Sequence, residues 1–154
     1  MSDAIVRLNN ERDIKKYLPH AGWAMALDSA IYNPSCPDEI TAQIHLLEDA
    51  EYFHGHFPGN PVLPGHWQLE FFCLAAALLC KLKFPDTEGF PTLTEFGRMK
   101  FKRIVRPLDD IEVIANFIDH IPGRGGSMLF RLSGEIKVGG KTASKIEEVR
   151  GTLT

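Results

Sequence analysis

The second half of the chain repeats a pattern of apolar and polar residues that is typical of β-strands. Its apolar positions are rich in β-branched and aromatic side chains, and stretches of Gly, Pro and Asp separate the segments. The last separator, Gly139-Gly140, is a two-residue hairpin signal. Two further strand-like segments flank a proline-containing turn at residues 33–38. The pattern predicts six strands, at residues 23–32, 39–47, 92–103, 111–118, 128–138 and 142–153.

One segment, residues 66–82, is apolar on nearly every face and contains no internal Gly or Pro. Leu and Ala, which favour helices, make up much of it, and a helix that is apolar all round is a buried helix. A shorter helix is predicted at residues 10–17, with Asn9 or Asn10 as its N-cap and Pro19 just beyond its end. Six strands and one buried helix predict an α+β fold, in which an antiparallel sheet packs on a helix.

The composition fits one globular domain over residues 1–154. A hydrophobic fraction of 44% and a charged fraction of 24% exclude a disordered, collagen-like or coiled-coil chain. Seventeen Lys and Arg against 20 Asp and Glu give a net charge of −3, which argues against a nucleic-acid partner. No apolar stretch approaches the roughly 20 residues that span a bilayer, and the N-terminus is charged. We therefore expect a soluble, cytoplasmic protein without a membrane partner.

The cysteine pattern agrees with a reducing compartment. Cys36, Cys73 and Cys80 match neither a disulfide framework nor a structural zinc site. Cys73 and Cys80 lie on one face of the predicted helix, where we expect them to be buried as small apolar residues.

Glu70 is the one carboxylate between residues 66 and 79 of the predicted buried helix. A buried carboxylate either finds a partner or stays protonated, and both outcomes suit a general acid. The alternative is that Glu70 lies on an exposed strip beside Gln68, or in the first turn of the helix, where the dipole favours an anion.

A loop dense in Gly and Pro precedes this helix and carries His54, His56 and His66. Histidine exchanges a proton near neutral pH, so His56 and Glu70 are candidates for a base and acid pair. The backbone N–H of Gly65, at the start of the helix, can bind a developing oxyanion. Alternatively, the histidines are solvated or structural. The His54-Gly55-His56 pair lacks a third ligand at a recognisable spacing, so we predict no metal site.

The run from His56 to Gly65 reads His-Phe-Pro-Gly-Asn-Pro-Val-Leu-Pro-Gly, and Glu70 follows His56 by fourteen residues. This motif resembles the signature of the β-hydroxyacyl-[acyl carrier protein] dehydratases, which have the hotdog fold. Weaker similarity at residues 17–20 and 99–107 extends the resemblance over most of the chain. It implies one long helix wrapped by an antiparallel sheet, which the element pattern predicts independently.

The resemblance also implies roles. His56 matches the family's catalytic histidine and Glu70 its catalytic carboxylate, the Gly65 N–H matches the oxyanion donor, and the Val62 carbonyl matches the group that orients the histidine ring. The implied reaction dehydrates (3R)-hydroxyacyl thioesters to trans-2-enoyl thioesters in fatty acid or related polyketide and lipid biosynthesis. Glutamate together with Phe-Pro-Gly resembles the branch that does not isomerise the double bond. One base and one acid suffice, so no metal or other cofactor is expected.

In the family, the histidine and the acid of one site come from different protomers. The resemblance therefore implies a homodimer, or a higher oligomer built from dimers. It also implies an acyl carrier protein as the partner that delivers the substrate.

Several residues around the motif depart from the family's usual pattern, which puts the length and shape of the acyl chain in question. His66 and Trp67 replace small or aliphatic residues, and Leu74 replaces a glutamine. The residues expected to line a substrate tunnel are Phe57, Pro61, Leu63, His66, Trp67 and Leu74.

A basic run between residues 92 and 107 contains five cationic side chains and one acid, Glu95. Acyl carrier proteins are acidic as a class, so this run is a candidate docking surface. Its alternative is a solvated strand face on which Lys protects an edge. The five residues are Arg98, Lys100, Lys102, Arg103 and Arg106.

Two other functions stay open at the level of sequence. A hotdog thioesterase would hydrolyse the same thioester with a carboxylate-activated water. A non-catalytic subunit would bind an acyl group or a partner protein, which the bulky Trp67, Phe71 and Phe72 would suit.

Overall fold

An eight-stranded antiparallel sheet packs against one long helix in the computed structural model, which describes residues 4–153. The strand order is β1-β2-β3-β6-β7-β8-β4, and β5 also pairs with β8. The elements in chain order are β1 (Val6–Leu8), α1 (Glu11–Ile14), β2 (Ser29–Tyr32), β3 (Glu39–His45), α2 (Gly65–Lys83), β4 (Pro91–Phe96), β5 (Met99–Phe101), β6 (Asp110–Pro122), β7 (Met128–Val138) and β8 (Lys141–Leu153), with 3₁₀ turns at Gly22–Ala24, Glu51–Phe53 and Arg124–Gly126.

Helix α2 forms the centre of the core, as its apolar sequence predicts. Phe71 and Phe72 are fully buried, and α2 contacts β2, β3, β4, β6 and β7. Pro64 immediately precedes the helix, and Lys81 and Lys83 occupy its last turn, where cations complement the dipole. The predicted α+β hotdog fold, with one long helix against an antiparallel sheet, is confirmed.

The N-terminal part differs from the prediction. Helix α1 spans four residues, and Asn10 is its N-cap, with its side chain accepting a hydrogen bond from the Asp13 N–H at 3.1 Å. The strand predicted at residues 23–32 begins only at Ser29, because a 3₁₀ turn starts at Gly22 with a φ of +58°. The short strand β1 was not predicted, since three residues are too few to show an alternating pattern.

The predicted strand at residues 92–103 is two strands. Gly97 interrupts it, and its N–H donates to the Glu148 carbonyl at 2.8 Å. Strand β6 runs further than predicted, to Pro122, across a register shift between Phe117 and Asp119. The β7–β8 hairpin is confirmed: Gly139 and Gly140 have φ values of +56° and +74°, as the tight turn requires.

Within residues 4–153, no helix is both long enough and apolar enough to cross a bilayer. All three cysteines are free thiols. Cys80 is buried and Cys73 is half-buried, and burial raises the pKa of both thiols to about 12. Both thiols therefore stay protonated at neutral pH, as small, nearly apolar groups.

Candidate active site

The loop before α2 is closed on itself by backbone hydrogen bonds. The Phe57 and Asn60 backbones exchange two bonds of 3.1 and 3.0 Å, and the Val62 N–H donates to the His56 carbonyl at 2.7 Å. Gly55 and Gly59 have φ values of +76° and +71°, a region that favours glycine. The sequence of this loop thus folds it back so that His56 and Val62 face each other.

The ring of His56 is held in one orientation. Its Nδ1 lies 2.8 Å from the Val62 carbonyl oxygen, and the Phe57 ring stacks on it with centroids 4.1 Å apart. A carbonyl only accepts, so Nδ1 must carry the donated proton. In the neutral ring, Nε2 is then the free base.

The same loop is tied to the segment that follows β5. The Leu63 N–H donates to the Val105 carbonyl at 2.8 Å. Arg106 Nη1 donates to Asn60 Oδ1 at 2.8 Å and reaches the Pro61 carbonyl at 3.4 Å. Arg106 thus holds the loop in place through side-chain hydrogen bonds, a role that the sequence does not predict.

A surface pocket of about 280 Å³ brings His56 together with the start of α2. The Gly65 N–H is the first donor of the helix, and no acceptor within residues 4–153 takes it. A Cβ at Gly65 would lie 2.6 Å from Cζ of Phe101, so a side chain there would displace the ring. The lining residues are His56, Val62, Leu63, Gly65, Gln68, Phe101, Arg103, Ile104 and Val105.

Glu70 does not line this pocket. Gln68 does, and two residues along an α-helix correspond to a rotation of about 200°, which puts Glu70 on the opposite face. Glu70 is half-buried, and its carboxylate makes no hydrogen bond or ion pair with any other residue between 4 and 153. Its charge is a second cause, after burial, of the raised pKa of Cys73 one turn further along.

Glu70 occupies neither of the two alternative positions that the sequence suggests, an exposed strip beside Gln68 or the first turn of the helix. Gln68 is only 3% exposed, so there is no exposed strip beside it. The helix begins at Gly65, so Glu70 lies in its second turn rather than its first. Within one protomer, the structure therefore positions the histidine and the glycine together and leaves the carboxylate on the other side of the helix.

A second, smaller cavity lies on the Glu70 side of α2. It has a volume of about 50 Å³ and lies between α2 and strands β4, β7 and β8. Its helical wall starts at Cys73, one turn after Glu70, and continues through Ala76, Ala77 and Cys80. Small side chains and a largely apolar lining fit the end of an aliphatic chain.

The six residues expected to line a tunnel are dispersed. Leu63 lines the pocket and Phe57 stacks on His56, while Pro61 and His66 are exposed. Leu74 is 1% exposed and belongs to the core. Trp67 packs in an aromatic cluster with Trp23, Tyr52 and Phe71. Neither Leu74 nor Trp67 lines the pocket of this protomer.

The sequence analysis does not assign four other residues to this pocket: Gln68, Phe101, Ile104 and Val105. The spacing along the helix could have identified Gln68, because it follows Gly65 by three residues and so lies on the same face of the helix. The other three lie in or just after β5, and only the tertiary fold brings them to the pocket.

The five residues of the basic run have different environments. Arg98 and Lys100 each lie within 3.9 Å of Glu147, and Arg106 holds the loop. Arg103 lines the pocket, and Lys102 is exposed. Lys102 and Arg103 are thus the two cations of the run whose side chains make neither an ion pair nor a hydrogen bond within residues 4–153.

Comparison with known proteins gives a family. The family model for ApeI-like proteins, described as ApeI dehydratase, matches residues 33–140. A 3-hydroxyacyl-[acyl-carrier-protein] dehydratase, FabZ, of Lactococcus lactis subsp. cremoris is 34% identical over 146 residues, covering 94% of this chain and 92% of its own length. The FabZ of Janthinobacterium sp. is also 34% identical, over 110 residues, covering 67% of this chain and 70% of its own.

Solved structures agree on the fold. The ApeI:P dehydratase heterocomplex from Xenorhabdus doucetiae aligns with a TM-score of 0.52 at 18% identity, over 79% of this chain and 93% of its own. Zebra fish thioesterase superfamily member 2 aligns with a TM-score of 0.60 at 12% identity, over 93% of both chains. The family model and the sequence relatives identify a dehydratase, and the fold is that of the hotdog class. The chain belongs to the ApeI-like dehydratase family and is homologous to the FabZ 3-hydroxyacyl-[acyl-carrier-protein] dehydratases.

Proposed function

We propose that this protein dehydrates (3R)-hydroxyacyl-[acyl carrier protein] thioesters to trans-2-enoyl thioesters in fatty acid or related lipid and polyketide biosynthesis. The observation that carries the proposal is the pairing, in one pocket, of a histidine whose Nδ1 is bound to Val62 O with the unpartnered N–H of Gly65. Family membership gives this arrangement its reaction. The free thiols fit the reducing environment of the cytoplasm.

The chemistry follows from these positions. His56 Nε2 removes the proton from C2 of the substrate, and the electron pair moves toward the thioester carbonyl. The Gly65 N–H, at the positive end of the helix dipole, stabilises the negative charge on the carbonyl oxygen. The electron pair then returns from the carbonyl to form the C2–C3 double bond as the C3–O bond breaks. A protonated carboxyl group gives its proton to the departing hydroxyl, which leaves as water.

We assign that carboxyl group to Glu70 of a second protomer in a homodimer. Glu70 lies on the face of α2 that points away from the pocket of its own chain, so it is available to a neighbouring copy. The small cavity that begins beside it would then receive the distal end of the acyl chain. Each homodimer would contain two composite sites.

The function is tested by incubating the protein with a panel of 3-hydroxyacyl carrier-protein thioesters and following the loss of water by mass. We expect dehydration by the wild-type protein and none above background by His56→Ala or Glu70→Gln. Release of free thiol without loss of water would instead identify a thioesterase, and absence of both reactions across chain lengths would contradict an enzymatic function.

The composite site is tested by mixing the two inactive variants. Unfolding and refolding His56→Ala with Glu70→Gln chains creates mixed dimers in which one of the two sites has both native residues. We expect activity to return to about one quarter of the wild-type level, since about half of the dimers are then mixed and each has one intact site. Mixed dimers are verified by a mass tag on one variant. No recovery despite verified mixed dimers would show that His56 and Glu70 act within one chain.

Carrier-protein docking predicts a second, separable effect at Lys102. This side chain is exposed and has no ion pair within residues 4–153, so reversing its charge leaves the loop and pocket intact. We expect Lys102→Glu to raise KM several-fold for a carrier-bound substrate and to leave KM unchanged for the same acyl group on N-acetylcysteamine. Lys141→Glu, an exposed lysine on β8, is the matched control. Equal effects of Lys102→Glu on both substrates would argue against docking there.

A further inference from the structure

Gln68 is a polar residue in a largely apolar helix, and it has no role in the reaction proposed above. Its side chain is only 3% exposed, yet it lines the pocket that holds His56 and Gly65. Its Oε1 has no hydrogen-bond partner within residues 4–153. A buried amide that is left unpaired lowers stability, so its presence in the core needs an explanation other than folding.

The position of Gln68 on the helix directs it toward the proposed oxyanion site. It follows Gly65 by three residues, which places both on one face of α2, about 4.5 Å apart along the axis. Helical side chains lean toward the N-terminus, so the Gln68 side chain extends over Gly65. The Phe101 ring lies where a Gly65 side chain would be, and Gln68, Gly65 and Phe101 all line the pocket.

Neither of the other two polar side chains that line the pocket, His56 and Arg103, makes a hydrogen bond with the Gln68 amide within residues 4–153. His56 Nδ1 is bound to the Val62 carbonyl, so it does not compete for the Gln68 amide. Rotation about the terminal torsion of Gln68 exchanges Oε1 and Nε2, so either end of the carboxamide can face a ligand, and the Nε2 end offers two N–H donors.

We propose that the Gln68 carboxamide is a catalytic residue that donates a second hydrogen bond, beside the Gly65 N–H, to the thioester carbonyl oxygen of the substrate. This inference rests on the proposed dehydration. Negative charge grows on that oxygen when His56 removes the C2 proton, so a second donor stabilises the transition state more than the ground state. The unpartnered Oε1 is then the loss of stability that comes with keeping this N–H donor beside the pocket.

The first test compares Gln68→Met with wild type on a 3-hydroxyacyl N-acetylcysteamine thioester. Met has nearly the same shape and no donor, so we expect kcat to fall by about 100-fold with KM little changed. The melting temperature should stay the same or rise, because the variant removes an unpaired buried amide. Ser144→Ala is the matched control, since Ser144 Oγ is also buried and unpartnered but does not line the pocket, and it should leave kcat unchanged.

The second test uses Gln68→Glu, which keeps the shape but donates only when protonated. We expect the ratio of its kcat to that of wild type to rise as the pH is lowered, because a glutamic acid donates a hydrogen bond only when it is protonated. Dividing by the wild-type kcat removes any pH dependence that the two proteins share. This test also decides the matter if Gln68→Met fails to fold.

Three results would overturn the proposal: an unchanged kcat in Gln68→Met, a higher KM alone, or a kcat ratio for Gln68→Glu that does not depend on pH. A fall in kcat accompanied by a lower melting temperature in Gln68→Met would indicate a structural amide and would also overturn it. If the wild-type protein dehydrates no substrate of the panel, the proposed function itself fails. That result is distinct from an active wild type whose Gln68→Met variant is equally active.

Discussion

Gly65 is the residue at which the helix start, the pocket and the Phe101 ring meet. Because a Cβ there would lie 2.6 Å from the ring, Gly65→Ala must push Phe101 outward, and Phe101 is exposed enough to move. We expect the fold to tolerate the change while the displaced ring and methyl group lower kcat/KM by about 100-fold, as a misplacement of about 1 Å can do. Turnover and thermal unfolding of the variant check both parts.

A double variant separates the clash from other effects of the methyl group. Adding Phe101→Leu to Gly65→Ala removes the ring atoms that the Cβ would meet, so we expect part of the activity to return. Phe101→Leu alone serves as the reference. Wild-type activity in Gly65→Ala would show that the contact with Phe101 does not constrain the site.

At the scale of single residues, the sequence identified His56, Val62 and Gly65 because these are adjacent in the chain and form a recognisable motif. It did not identify Gln68, because a polar residue in a buried helix resembles an exposed one until its environment is known. It also placed Trp67 and Leu74 in a tunnel, whereas one packs in an aromatic cluster and the other in the core. Proximity along the chain identifies the candidate chemistry but not which face of the helix each side chain occupies.

At the scale of elements, Gly134 shows how closely the sheet approaches the helix. A Cβ at Gly134 on β7 would lie 2.1 Å from the Ile114 carbonyl oxygen on β6 and 2.5 Å from the Phe72 ring on α2. The Ile114 oxygen is a backbone atom and cannot rotate away. We therefore expect Gly134→Ala to lower the free energy of unfolding by about 3 kcal/mol, at the upper end for overpacking. Urea unfolding measures the change.

Gly97→Ala is the matched control for this prediction. A Cβ at Gly97 would approach its nearest neighbour, the Glu148 carbonyl oxygen, no closer than 3.5 Å, which is ordinary contact. We expect its stability to stay within about 1 kcal/mol of wild type. If Gly134→Ala were equally harmless, the close packing of β6, β7 and α2 would be contradicted.

The elements themselves were largely predictable. Helix α2, strand β7 and the Gly139-Gly140 hairpin follow from strong periodicity and turn chemistry, so their bounds lie within one residue of the prediction. Strand β1 and the break at Gly97 were not predictable, because each depends on pairing with a distant strand. Local pattern determines long elements well, whereas short ones depend on the sheet that they join.

At the scale of the whole molecule, one end of the sheet has an uncovered apolar surface. Leu93 and Phe96 on the edge strand β4 are 44% and 56% exposed, and Phe101 and Ile104, which line the His56 pocket, are 54% and 61% exposed. Exposed apolar residues along an edge strand favour association with another chain. Leu93 also lines the small cavity that begins beside Glu70, whereas Phe101 and Ile104 line the His56 pocket, so a second copy bound here would lie beside both. We propose this surface as the homodimer interface.

Phe96→Lys tests this assignment and the composite site together. A charge in the interface should convert the protein to monomers, as measured by size-exclusion chromatography with light scattering, and activity should fall with the dimer fraction because no Glu70 of a second chain is present. Ile31→Lys is the control, since Ile31 on β2 is 45% exposed near the opposite end of the sheet and should affect neither property. A Phe96→Lys monomer with full activity would show that one chain suffices for catalysis, and a stable, active dimer would place the interface elsewhere.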